Sequence, residues 1–331
     1  MDKPNKKGSL ASNNSRSRNG QFLGMPYTRE EARVILLFAP WTVSQPLGGS
    51  GHSGPANILE SSYTLPLSGP DAPKAGKTGI YGRLPAEDIL EKGKQLAENE
   101  AKIPAEELIR TADALNGWLN REASGLLENK KRVGLIGGDC STQIGLLSAL
   151  AGRYSEFGIL HLGAGMGLGS ISSDTGCTPD NLFSHALQLS SVSQLTLAGV
   201  RSYSAEEENL TAGREEISVF YNHEIRRRLY RGHTFGQICG DIIRGLPDQV
   251  YLSFDINALQ PQYCPNAARR FPGGFDFEEA LYLIKRLVDA ELEIIGFGLC
   301  GVAGREHPWD GKVGALLAYR IAALMGSSSW L

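Results

Sequence analysis

Three segments carry side chains able to do chemistry at the end of an apolar run. "LIGGDCS" (135–141) ends in Asp139, Cys140 and Ser141; "FGILHLGAGMGLGS" (157–170) carries His161 ahead of Gly163, Gly165, Gly167 and Gly169; "YLSFDINALQP" (251–261) carries Asp255 and Asn257. Glycines after a strand suggest a phosphate-binding turn, which needs them at i, i+2 and i+5 ahead of a helix. From Gly163 the third position is Leu168, from Gly165 it is Ser170, and the following "SISSDTGCTPD" does not begin a helix. A dinucleotide is therefore excluded on spacing and context. "DAPKAGKT" (71–78) fails the related nucleotide-loop pattern because its first glycine would be Asp71, and it reads as a surface loop.

Metal and thiol chemistry are the other candidates. Cys140, Asp255 and Asn257 could converge, and cysteine is a good zinc ligand, but no zinc geometry completes without a further Cys, His or carboxylate. The six histidines (His52, His161, His185, His223, His233, His307) are dispersed with no H-x-x-x-H pair. His161 shares the face of Gly163 by strand parity and reads as a packed strand histidine, and His185 as a partly exposed helix residue. A Cys140 thiolate at a helix start would be a nucleophile with a lowered pKa. No partnering base is evident, and space filling is the preferred role.

The elements that must position these residues alternate along the chain. Short β-rich runs fall at 33–38, 132–137, 157–162, 195–200, 217–221, 249–254 and 293–298, with amphipathic helical segments near 87–98, 104–128, 141–152, 276–289 and 311–325. Continuous apolar strands separated by helices predict a three-layer α/β/α fold with a mainly parallel central sheet, whose ligands bind at the strands' carboxyl ends. Residues 1–28, basic and Ser/Asn-rich, read as a disordered tail, and 29–331 as a single α/β domain.

Composition narrows the function. The 331 residues are 41% hydrophobic with a net charge of −3, which offers no case for nucleic acid or an anionic membrane as partner. No run approaches the roughly 20 apolar residues of a membrane span. Five scattered cysteines (Cys140, Cys177, Cys239, Cys264, Cys300) without C-x-x-C predict a reduced, cytoplasmic protein lacking disulfides.

Taken in order and spacing, the three segments resemble the arginase/agmatinase (ureohydrolase) family, its agmatinase-like branch in particular, which carries G-G-D-H-S, D-A-H-x-D and S-F-D-x-D-x-x-D-P at these places. "GGSGHSGPANILESS" (48–62), "AGVRSYSAEEENL" (198–210), "FPGGFDFEEALYLI" (271–284) and "GKVGALLAYRIAALM" (311–325) extend the likeness over nearly the whole chain after the tail. The resemblance implies an arginase-like fold and hydrolysis of guanidinium or amidine compounds by a hydroxide on two manganese ions held by two histidines and four aspartates. It also maps those six ligands onto Cys140, Gly163, Gly165, Gly167, Asp255 and Asn257, so five have changed type. The glutamate that faces the guanidinium in the family maps to Gly301, the third aspartate of the last motif is Gln260, and "TPDNLF" (178–183) lacks the loop histidine.

The expected protein is thus a ureohydrolase relative that has lost its manganese pair and holds no cofactor. A catalytically inactive pseudoenzyme with a binding or regulatory role leads. The alternatives are a protein that binds a small cationic metabolite in the vacated cleft, or a C–N hydrolase of amidines with altered chemistry at Cys140. The resemblance also implies a homo-oligomer, trimer or hexamer, with an active paralogue as a conceivable partner.

Overall fold

The computed structural model describes residues 17–43, 51–67, 79–99, 104–172 and 176–327. The "DAPKAGKT" loop at 71–78 and residues 1–16 lie outside them. Among the described residues eight strands form one sheet: β1 (Val34–Ala39), β2 (Ile80–Arg83), β3 (Arg132–Gly137), β4 (Phe157–Leu162), β5 (Val192–Val200), β6 (Ile217–Tyr221), β7 (Gln249–Asp255) and β8 (Glu293–Cys300). Their order is β2-β1-β3-β8-β7-β4-β5-β6 and every pairing is parallel.

Parallel pairing needs a crossover between strands, and helices supply it. They are α1 (Gly54–Ser62), α2 (Glu87–Asn99), α3 (Ala105–Glu128), α4 (Gln143–Arg153), α5 (Leu182–Ala186), α6 (Ala205–Thr211), α7 (Asn222–Tyr230), α8 (Phe235–Ile243), α9 (Phe277–Asp289) and α10 (Pro308–Ser327). Strand alternation sends side chains to two separate cores. In β1, Val34, Leu36 and Phe38 join one core with residues of α1, α8, α9 and α10. Ile35, Leu37 and Ala39 join the other with residues of α3 and α4. This is the expected three-layer arrangement. No helix among the described residues is long and apolar enough to cross a membrane.

Two expectations need correction. The tail was expected to run to residue 28, yet Phe22 and Leu23 are fully buried in the first core, and Leu23 N–H donates to Ser62 Oγ at 2.8 Å. Two large apolar residues inside a polar stretch are enough to anchor it. The cysteines were expected to be reduced, yet Cys140 and Cys300 form a disulfide, 160 residues apart in sequence. Spacing rules miss it because β3 and β8 become neighbours only in the folded sheet.

The loops at the carboxyl edge are tied down by two polar side chains. Asn57 of α1 donates from Nδ2 to the carbonyls of Ala303, Gly304 and His307. Arg201, after β5, donates to the carbonyls of Gly199 (3.1 Å), Asn257 (2.6 Å), Phe271 (3.2 Å) and Pro272 (3.0 Å). It holds the 256–276 segment against the end of β5, and the close approach needs Gly274, whose φ of +106° and near contacts exclude a side chain. Because truncation strands several carbonyls at once, Arg201→Met is expected to lower stability by about 2 kcal/mol in urea unfolding. A variant as stable as the parent would show that the segment holds itself.

Candidate functional site

The carboxyl ends of β3, β8, β7 and β4 are adjacent, so residues distant in sequence meet there. Asp255 and Cys300 are register partners at the ends of β7 and β8. Cys140 begins the turn Cys140–Thr142 that leads into α4. Asp139 caps that turn by accepting from Ser141 N–H at 2.9 Å, and also accepts from Val43 N–H at 2.7 Å. Gly301 N–H donates to Gly138 O at 3.1 Å and binds the two strand ends together.

Above these ends lies a cavity of about 450 Å³, with Cys140, His161, Gly165, Asp255, Asn257 and Arg269 in its wall. The side chains expected to converge do so, but most are already committed. Asn257 Oδ1 accepts from Ala164 N–H at 2.8 Å. Asp255 Oδ1 accepts from Asn257 N–H at 2.9 Å, while Oδ2 lies 3.3 Å from Cys140 Sγ. Burial raises the Asp255 carboxyl to about 6, opposed by that N–H and by the Arg269 and Arg201 charges. Arg269 in turn pairs with Asp180 at the cavity mouth, with Nη2 to Oδ2 at 3.1 Å.

The glycines of 163–167 are not equivalent. A Cβ at Gly163 would sit 2.0 Å from His161 Nε2, so the imidazole occupies the space a side chain there would enter. That ring is buried, its Nδ1 lies 2.9 Å from Ser253 Oγ, and it packs on Phe183 at 4.7 Å between centroids. Desolvation lowers its pKa to about 3, so it is neutral at ordinary pH. His161 is therefore a packed strand histidine, as expected, but it also reaches the cavity wall. Gly167 has φ +64°, with Phe183 2.9 Å from its Cβ position. Gly165 alone of the three opens to space, with its nearest neighbour, Ser202 O, at 3.8 Å.

The remaining expected positions are placed as follows. Gly301 has φ +82°, and a Cβ there would meet Asp255 Oδ1 at 2.8 Å. His185 lies in α5, half-buried, with Nε2 3.3 Å from Gly176 O and away from the cavity wall. Gln260 pairs with Gln262 and also stays outside it. Cys140 does not offer a free thiolate, because its sulfur is bonded to Cys300. This corrects the nucleophile reading. Sequence reasoning missed Cys300 and Arg269; the first lies two residues past a predicted strand, and nothing local marks either.

A doubly covered parallel sheet with its cavity at the strands' carboxyl edge defines an α/β enzyme-type scaffold. The family model described as "Arginase family" matches residues 32–325, and the chain belongs to that family. It is 26% identical over 317 residues to an N(1)-aminopropylagmatine ureohydrolase of Thermus thermophilus, covering 92% of this chain and 94% of the relative. A crystal structure of a hypothetical agmatinase from Burkholderia thailandensis superposes with a TM-score of 0.73 at 16% identity, covering 99% of this chain and 96% of the other. Proclavaminate amidino hydrolase from Streptomyces clavuligerus superposes with a TM-score of 0.72 at 17% identity, covering 96% and 100%.

The donors present do not fit the manganese pair that the family resemblance implies. The six mapped positions supply one carboxylate, an amide whose oxygen is already used, a disulfide sulfur and three glycines. Two hard divalent ions need several anionic oxygens or imidazoles to offset their charge. The space around the glycines gives a direct test. Gly163→Asp, which would collide with His161, is expected to cost about 2 kcal/mol or more, while Gly165→Asp folds with a much smaller loss, both read by thermal unfolding. Equal losses would contradict the assignment of the 163 space to His161.

Proposed function

We propose that this arginase-family chain has lost the binuclear manganese centre and acts by binding, as a catalytically inactive regulatory relative of the ureohydrolases. The observation that carries this is the fate of the ligand positions. A restored aspartate at 163 would strike His161, Asn257 Oδ1 is engaged by backbone, and Gly301 leaves no room for a glutamate beside Asp255. The changes are mutually accommodated rather than single lesions. Assembly into a trimer or hexamer, with itself or with an active paralogue, is the form in which such a chain would regulate.

A second reading is favoured by the charge of the cavity. Of the described carboxylates in the cavity wall, Asp255 accepts from one N–H, that of Asn257, with Oδ2 facing Cys140 Sγ, whereas Glu207 is held by Leu168 N–H and Ser204 N–H and Asp180 by Arg269. A small cationic metabolite, an amine or guanidine, is the ligand that suits it. The relatives' names point to agmatine-type compounds as the first to try. In the presence of manganese, the purified chain is expected to release no urea from agmatine or N(1)-aminopropylagmatine. Thermal shift with the same compounds separates the two readings: a rise in Tm lost in Asp255→Asn selects the metabolite binder, and none selects a protein-binding role. Multiple-turnover urea release abolished by Asp255→Asn would overturn both.

A further inference from the structure

The disulfide completes a ligand set that the sequence left one donor short. Cys140 Sγ, Cys300 Sγ and a carboxylate oxygen of Asp255 all lie within 4.8 Å of one another. We infer that, once the Cys140–Cys300 bond is reduced, these three side chains hold a single thiophilic divalent ion, zinc by its chemistry, with the fourth coordination position toward the cavity. This site shares the Cys140 and Asp255 positions with the mapped manganese set, but adds Cys300 and differs from a hard-ligand manganese pair in ion number and metal class. It stands on this cluster alone, and a cation held at Asp255 would compete with it.

Zinc takes sulfur at about 2.3 Å and carboxylate oxygen at about 2.0–2.2 Å, so tetrahedral ligands sit roughly 3.5–3.8 Å from each other. Asp255 Oδ2 at 3.3 Å from Cys140 Sγ is already near that edge length. The two sulfurs need to separate by side-chain rotation from Cα positions 5.5 Å apart. The carboxylate is oriented for the task, since Asn257 N–H fixes Oδ1 and leaves Oδ2 toward the sulfur. Gly301 permits that approach, as a Cβ there would be 2.8 Å from Oδ1.

The surroundings suit a bound thiolate pair. Gln143 Oε1 accepts from Tyr251 O–H at 3.0 Å, which turns its Nε2 toward Cys300 Sγ at 3.6 Å, the kind of outer contact that orients a metal ligand. Two thiolates and one carboxylate exceed the ion's charge by one, and the charges of Arg201 and of Arg269, the latter paired with Asp180, act on Asp255 to offset part of it. Both sulfurs are buried while the cavity reaches Cys140 and Asp255, giving three protein ligands and one open position. That is the pattern of a zinc that keeps a water or small ligand.

The chemistry balances with an external reductant, either a dithiol, which gives up two protons and is itself oxidised to its disulfide, or a phosphine with water, which becomes the phosphine oxide by taking the water's oxygen while its two protons go to the thiols. Two electrons and two protons convert the disulfide to two thiols; metal binding then releases the two thiol protons to solvent. The site is therefore closed to metal when oxidised and open when reduced.

The test uses the full chain, oxidised or held in a phosphine reductant, loaded with zinc, dialysed and assayed for metal. Cobalt titration reports thiolate ligation through charge-transfer absorption. The reduced chain is expected to retain one zinc and show the thiolate band, and the oxidised chain to do neither. Cys300→Ser and Asp255→Asn should each weaken reduced-state binding by about tenfold or more, while Cys239→Ala, in α8, leaves it unchanged. Failure of the reduced chain to retain metal, or retention unaffected by both substitutions, overturns the inference. Because neither readout involves manganese or urea, either result leaves the proposed loss of the manganese pair to its own test.

Discussion

Parallel pairing of β3, β8, β7 and β4 in the middle of the sheet brings four carboxyl ends to one edge, and the rest of the site depends on it. Residues 140, 163–167, 255–257 and 300 are remote in sequence, yet adjacent strands deliver them to one edge, where Cys140, Gly165, Gly167, Asp255 and Asn257 line the cavity. Such an edge concentrates whatever charge the strand ends carry. With several aspartates it would require metal; here it carries Asp255, whose charge is opposed by those of Arg269 and Arg201.

The three glycines of 163–167 illustrate how the site was remade. At 163 the neutral His161 ring fills the space, held by Ser253 and Phe183. At 167 the backbone is left-handed and covered by Phe183, and only at 165 does space remain. Across the cleft, Asn257 spends its side-chain oxygen on Ala164 N–H, joining the ends of β7 and β4 by a hydrogen bond rather than through a shared ion. The disulfide likewise links β3 to β8, covalently. The cleft is thus cross-linked by protein groups at the places where the family pattern puts metal ligands.

Much of this was legible in the sequence, for definite reasons. Strands buried on both faces are continuous apolar runs, so β3 and β4 begin and end where the pattern places them, and the half-buried edge strand β6 matches its run as well. β2, a four-residue edge strand reading "IYGR", offers no such run and was missed. The short helices α6 to α8 escaped for the same reason of length. The mapping of ligand positions came from motifs matched in order along the sequence. The Cys140–Cys300 bond and the Arg269–Asp180 pair were not, since both arise from adjacency of strand-end loops that no local pattern encodes. Phe22 and Leu23 were hidden inside a polar stretch whose average composition outweighed two residues.

The central claim is that the cleft does not hold two manganese ions. Elemental analysis of the oxidised full chain after dialysis against manganese, with calorimetric titration of the same material, tests it most directly. The account predicts no stoichiometric manganese and no saturable heat. Tight retention of about two ions per chain would contradict it and return amidine hydrolysis to this member of the family.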